Sequence, residues 1–245
     1  YVQSLLTSEK LSNEFIIVEG QTRLNTKIVE ISSRLTTDIN EIGFYISKEQ
    51  LNSIKELIVQ YAKQSEMMVF SGSIPRGVSS DVYFQLLSIA APFTKTVLDA
   101  DGVFLLEGLK ASTYLIKPNI YELENALSRK LSTHEEIKQA ARDLINAYSI
   151  QYVLVSLGGD GSILVSEDTA IFAKALKVEV KSSVGAGDSM LAGFIYGLTN
   201  ENFTPYTALA CATACGALAV SQEGTQTFKK EEVEGLIRQV EISSF

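Results

Sequence analysis

Between residues 48 and 165 two patterns take turns, and no other feature of the sequence limits the possible folds as strongly. Residues 67–70, 96–98, 114–116 and 152–156 are short apolar runs, the kind that form strands covered on both faces. Helical patterns lie among them. Residues 48–63 carry apolar side chains at 51, 54, 57, 58 and 61, behind the capping box Ser47-x-x-Gln50. Residues 82–91 and 135–148 are two more, the second behind Thr133-x-x-Glu136. This rhythm predicts an α/β fold with a parallel sheet and helices on both faces.

The first 47 residues break the rhythm. Residues 15–18, 23–31 and 36–39 look like strands with more polar alternation and no helix between them. They predict an antiparallel flap, or a meander over one sheet edge. No internal repeat, low-complexity segment or Pro/Gly linker interrupts the chain. One domain over 1–245 is therefore expected, with flap strands within about 15–47 and an α/β core over 48–245.

The formal charge of −8 argues against nucleic acid and acidic membranes as partners. Residues 207–220, apolar but small, are too short for a membrane span. The start, Tyr1-Val2-Gln3-Ser4, lacks a secretory pattern and an initiator Met, which suggests a processed or truncated chain. Cys211 and Cys215 are four apart in the 207–220 run, so they share a helical face. They read as buried free thiols, in keeping with a reducing cytoplasm. The single histidine, His134, reads as a surface residue at a helix start, too far off in sequence to complete a metal site.

Five segments carry groups suited to chemistry. Ser183-Val184-Gly185-Ala186-Gly187-Asp188-Ser189-Met190 puts a tight glycine turn before a helical stretch. Free N–H groups and the helix dipole there favour an anion. Asp188 is then either an N-cap or a base beside a transferring phosphoryl group. Lys117-Pro118-Asn119-Ile120-Tyr121-Glu122 leaves a strand and opens a helix. Asn119 and Glu122 could organise water around Mg²⁺ near phosphates, or form a capping box. Ser156-Leu157-Gly158-Gly159-Asp160-Gly161 offers a hydroxyl and glycines to nucleotide phosphates, or a hairpin turn. Ser71-Gly72-Ser73-Ile74-Pro75-Arg76-Gly77 follows a strand, at the edge where α/β sheets bind ligands, or is an ordinary βα loop. In the flap, Arg23, Asn25 and Lys27 alternate onto one face, which suits a phosphate or a solvated edge. Neither G-x-x-x-x-G-K-[S/T] nor a complete G-x-G-x-x-G is present, which excludes a P-loop and disfavours a dinucleotide site.

Together these segments resemble, in order, the PfkB/ribokinase family of carbohydrate kinases, over essentially the whole chain. Within it they are most similar to the hexose-phosphate kinases. The resemblance implies a ribokinase-like three-layer α/β/α sandwich with a mostly parallel sheet and a small β flap, or lid. It implies ATP and Mg²⁺, and a sugar phosphate as acceptor. Asp188 would be the base, and Gly185, Ala186 and Gly187 the anion hole for the γ-phosphoryl group. Lys117, Asn119 and Glu122 would lie at the ATP phosphates, the last two positioning Mg²⁺ indirectly. Ser156, Gly158 and Gly161 would contact ATP; Arg23, Asn25 and Ser73 would bind the sugar phosphate. Residues 221–225 could form the monovalent-cation loop, for K⁺, that some relatives have. A homodimer through the flap also follows from the resemblance. Two family features find no match: an opening strand with a substrate-binding Asp, and a Gly-Gly-Lys-Gly segment. The N-terminal part of the fold is therefore expected to be missing. An incomplete chain that binds nucleotide without turnover is the alternative reading; a scaffold has no need of Asp188, Asn119 and Glu122.

Overall fold

The computed structural model describes residues 2–30, 36–200 and 204–245. A helix, α1 (Val2–Ser8), leads into the flap, whose strands β1 (Asn25–Val29) and β2 (Thr36–Asn40) pair antiparallel, Thr26 opposite Ile39. Residues 15–18, expected as a strand, form none. An extended segment is a strand only when a neighbour takes its hydrogen bonds. Here Phe15 and Ile17 are exposed, and the residue just before the segment, Glu14, accepts from the Tyr61 hydroxyl. Ile31, inside the expected 23–31 strand, lies outside the described residues.

The core follows the sequence rhythm. The helices are α2 (Lys48–Ala62), α3 (Val82–Ala90), α4 (Gly102–Leu109), α5 (Ile120–Leu127) and α6 (His134–Tyr148). They alternate with strands β3 (Met67–Ser71), β4 (Lys95–Asp99), β5 (Leu115–Ile116) and β6 (Tyr152–Ser156), all mutually parallel. The hairpin strand β7 (Gly161–Val165), then β8 (Ala170–Lys174) and β9 (Ile242–Ser244), extend the sheet antiparallel. The seven strands lie in chain order, and β3, β4, β5, β6 and β8 point the same way. After β8 come α7 (Ala186–Thr199), α8 (Pro205–Ser221) and α9 (Lys230–Ile237).

Strand period two splits the core into two layers. Leu98, Ile116, Val153, Val155 and Ile163 face the layer of α2 to α6, while Val97, Leu115, Leu154 and Leu164 face α7 and α8. Both expected capping boxes of the long helices are present, at Ser47/Gln50 and Thr133/Glu136. His134 is exposed, its ring stacked 4.3 Å from that of Phe172. Cys211 and Cys215 are buried free thiols on α8. No helix among the described residues is long and apolar enough to cross a membrane.

Helices α7 and α8 approach through small residues. A Cβ at Gly197 would meet the Ala208 Cα at 2.6 Å and its Cβ at 2.7 Å. Gly197→Ala therefore gains about 1 kcal/mol of helix propensity but overpacks backbone, a cost of about 1–3 kcal/mol. A net fall in the urea midpoint is expected, with an unchanged slope.

Candidate active site

Three helix N-termini and the C-terminal ends of four parallel strands meet at one edge of the sheet. Strand β5 is short because Pro118 cannot donate to a ladder. The backbone stays registered around it: Lys117 N–H donates to Leu98 O at 3.2 Å, and Ser156 N–H to Pro118 O at 3.1 Å. This registration delivers Lys117 and Asn119 between the ends of β4 and β6.

Lys117 is buried, and its Nζ lies 3.1 Å from Asp99 Oδ1 at the end of β4. Only 6% and 15% of the two side chains are exposed, so the ion pair is largely shielded from water. The ammonium also sits under the glycine turn: a Cβ at Gly187 would come within 3.2 Å of Nζ. Gly185, the N-cap of α7, has φ 76°, a left-handed conformation that costs glycine least. Asp188 lies exposed in the first turn of α7. Its charge reaches Asp99, whose carboxyl is raised first by burial, with Asp188 and Asp101 adding and Lys117 opposing.

Asn119 and Glu122 form the capping box of α5, with both reciprocal bonds at 2.9 Å. Capping does not use up the carboxylate, which also lines a cleft of about 340 Å³ with Ser73, Asp99, Asp101 and Phe104. Burial raises the Glu122 pKa most; the Asn119 N–H and Lys117 oppose it, and Asp99 and Asp101 add to it. A raised carboxylate pKa destabilises the fold above the folded-state value, and the cost disappears as pH falls towards the unfolded value of about 4.3. Glu122→Gln keeps an acceptor for the cap. It is expected to unfold at higher urea than the wild type at pH 7, and the difference is expected to close on acidification.

From the flap side, Arg23 Nη2 donates to Ser73 Oγ at 2.8 Å, joining two sequence candidates across the cleft mouth. Asn25, at the start of β1, is exposed on the flap and opposite Asn40. The side chain of Lys27 lies outside what is described. Ser156 is half-buried and bridges Asn119 through the backbone. Residues 158–160 form one 3₁₀ turn that closes the β6–β7 hairpin, with Leu157 N–H donating to Gly161 O at 2.9 Å. Gly158 is exposed at this edge, whereas Gly161 is buried with the Ala173 carbonyl where a Cβ would be. Steric need against β8 therefore already accounts for glycine at 161.

Asp99 and Asp101 were not among the sequence candidates. The available signal was Leu98-Asp99-Ala100-Asp101-Gly102, acidic residues where a parallel strand gives way to a helix. A second space escaped sequence reading entirely. On the other side of the glycine turn, a mostly apolar cavity of about 640 Å³ runs between α7, α8, α9 and residues 224–228, and Gly185 and Ser189 border it. Its walls come from segments that no local motif links.

A cleft lined by the carboxylates of Asp99, Asp101 and Glu122, with a buried ammonium paired to Asp99, beside an N–H-rich turn and an apolar cavity, is suited to a phosphorylated ligand accompanied by cations. The pfkB family carbohydrate kinase model matches residues 1–232, and the chain belongs to that family of phosphotransferases, which implies ATP as donor. It is 33% identical over 244 residues to the 1-phosphofructokinase of Escherichia coli K12, covering 99% of this chain and 77% of that protein. Against the 1-phosphofructokinase of Haemophilus influenzae it is 34% identical over 243 residues, with 98% and 77% covered. Phosphofructokinase-2 of Escherichia coli, solved in complex with potassium, superposes with a TM-score of 0.88 at 25% identity, covering 97% of this chain and 77% of that one. The complex of that enzyme with substrates and products gives 0.87 at 26% identity, with the same coverage. The mixed sheet with helices on both faces is thus the ribokinase-like sandwich.

Proposed function

We propose that this chain transfers the γ-phosphoryl group of ATP to fructose 1-phosphate, giving fructose 1,6-bisphosphate and ADP. The observation that carries the reading is the stack of Asp188, the Gly185–Gly187 turn and the Lys117–Asp99 pair at one sheet edge. The 1-phosphofructokinases among its relatives support the choice of sugar.

In this reading Asp188 takes the proton from the attacking sugar hydroxyl. The backbone N–H groups of Gly185, Ala186 and Gly187 hold the charge growing on the equatorial phosphoryl oxygens. Lys117, under the turn, adds a fixed positive charge. Asn119, Ser156 and Gly158 shape the phosphate path, while Gly161 holds the hairpin behind it, and the apolar cavity beyond Gly185 receives the adenosine. Arg23, Asn25 and Ser73 hold the sugar phosphate under the flap, so residues 15–47 act as a lid on a core over 48–245, one kinase domain.

The carboxylates of Asp99, Asp101 and Glu122 would repel ATP without a divalent cation. Among the described residues no three or more His, Cys, Asp or Glu are grouped to hold a metal. Mg²⁺ takes one or two carboxylates and keeps waters and phosphate oxygens. Asp99, Glu122 and Asn119 would hold it, the last through water, and it would neutralise charge on the transferring group. Residues 221–225 are proposed as a K⁺ loop, because Thr225 lies beside Gly185, 3.8 Å from where a Cβ would stand. Exposed Leu24, Ile28 and Ile39 on the flap suit a homodimer contact.

The test is coupled ADP release with MgATP and fructose 1-phosphate, tagatose 6-phosphate or fructose 6-phosphate. Preference for fructose 1-phosphate is expected. Preference for tagatose 6-phosphate would overturn the substrate, and ATP binding without any turnover would overturn the activity of this chain.

A further inference from the structure

One wall of the 640 Å³ cavity has no part in phosphoryl transfer. Cys211 and Cys215, one turn apart on α8, both border it. Both are free and buried. Each thiol perturbs the other: the neighbouring Cys215 lowers the Cys211 pKa against the effect of burial, and Cys211, with burial, raises that of Cys215. Helix α7 holds the pair in place. A Cβ at Gly193 would meet the Cys215 sulfur at 2.7 Å and the Cys211 carbonyl oxygen at 3.0 Å.

A disulfide does not suit this geometry. Residues four apart on a helix hold their Cβ atoms about 5–6 Å apart, whereas a disulfide needs about 3.5–4.5 Å. Closing that gap would distort α8, most of whose residues are buried. A single atom set between the two sulfurs requires no such movement. Zn²⁺ wants four ligands, and among the described residues no His, Asp or Glu joins the thiols in a metal-holding group. Two thiols alone select a soft centre of low coordination number.

We propose that Cys211 and Cys215 form a dithiol site for trivalent arsenicals, and that its occupation closes the cavity to the nucleotide. The second half rests on the reading of the cavity as the adenosine site. With an arsenoxide the step balances as R–As=O plus two Cys–SH giving R–As(S–Cys)₂ plus water. Two As–S bonds form, the As=O bond breaks, and the oxygen leaves with both thiol protons. Arsenic stays trivalent, so nothing is oxidised or reduced.

Phenylarsine oxide is the probe. Native protein is treated, its intact mass is measured, and ATP binding is followed with a fluorescent ATP analogue. One adduct per chain is expected, with loss of ATP binding, recovery on adding a competing small dithiol, and slower labelling when ATP is bound first. Cys211→Ser and Cys215→Ser are each expected to lose the adduct on dilution, since one thiol cannot close the ring. No adduct on native protein, or stable adducts on both serine variants, would overturn the site. An adduct at the pair with ATP binding intact would overturn the closure and place the nucleotide elsewhere. A chain that binds ATP, loses that binding on labelling, yet phosphorylates no sugar would support the dithiol site while overturning the proposed reaction.

Discussion

Asp188→Asn is expected to lower kcat by about 10²–10⁴-fold, the usual contribution of a positioned general base. ATP affinity is expected to stay near that of the wild type, because the amide keeps the shape and the glycine turn is untouched. Asp188 is exposed at the start of α7, so the substitution removes no buried packing. Steady-state kinetics with the preferred sugar phosphate, together with ATP binding on the same preparation, separate the two effects. Turnover close to that of the wild type would remove Asp188 from the mechanism. A parallel loss of ATP binding would show that the residue holds the ligand rather than moving a proton.

Lys117→Met is expected to damage both stability and activity. It leaves the Asp99 carboxylate with little water and no counter-charge. Removing one partner of a buried pair costs about 3–5 kcal/mol. For a chain of this size that corresponds to a fall in Tm of roughly 6–20 °C. Burial already raises the Asp99 pKa, and Lys117 opposes that rise. Without the lysine, Asp99 protonates at higher pH, so the variant is expected to regain stability as pH falls, opposite to ordinary acid denaturation. Adding Asp99→Asn to Lys117→Met is expected to restore most of the Tm and none of the activity. Differential scanning calorimetry of the two single variants and the double variant closes the cycle. If the double variant is no more stable than Lys117→Met, the pair is not what makes the lysine important.

The sheet was legible because its strands are covered on both faces, and such strands read as apolar runs whatever their neighbours. Tyr152–Ser156 forms with the expected bounds, and Ser47 and Thr133 cap the helices they were expected to cap. Residues 15–18 misled because a pattern can announce a strand but cannot supply its partner. Asn119 and Glu122 had two readings; the structure shows the capping box, and the same carboxylate faces the cleft, so capping does not rule out the other. Asp99 and Asp101 went unread because an isolated acidic residue gains meaning only from what the sheet brings near it, here Lys117 from the next strand. The 640 Å³ cavity was out of reach for the same reason. It lies between helices whose contact depends on Gly193 and Gly197 meeting α8, a matter of fit that no linear motif records.

The parallel run from β3 to β6 has a consequence for how the molecule is made. In a parallel sheet no strand meets its neighbour until an intervening crossover has been laid down, so each pairing closes a long loop before it is rewarded. The groups around the cleft sit at successive strand ends, and the glycine turn arrives only with α7, long after β6 in the chain. No segment can hold a partial site while the rest is unfolded. Such topologies fold slowly, because their contacts are distant in sequence. Nucleotide binding should therefore be the last property a refolding chain acquires, appearing with the docking of α7 and α8 onto a sheet already in register. Until that docking is complete, a newly made chain would fold with no ligand to stabilise it.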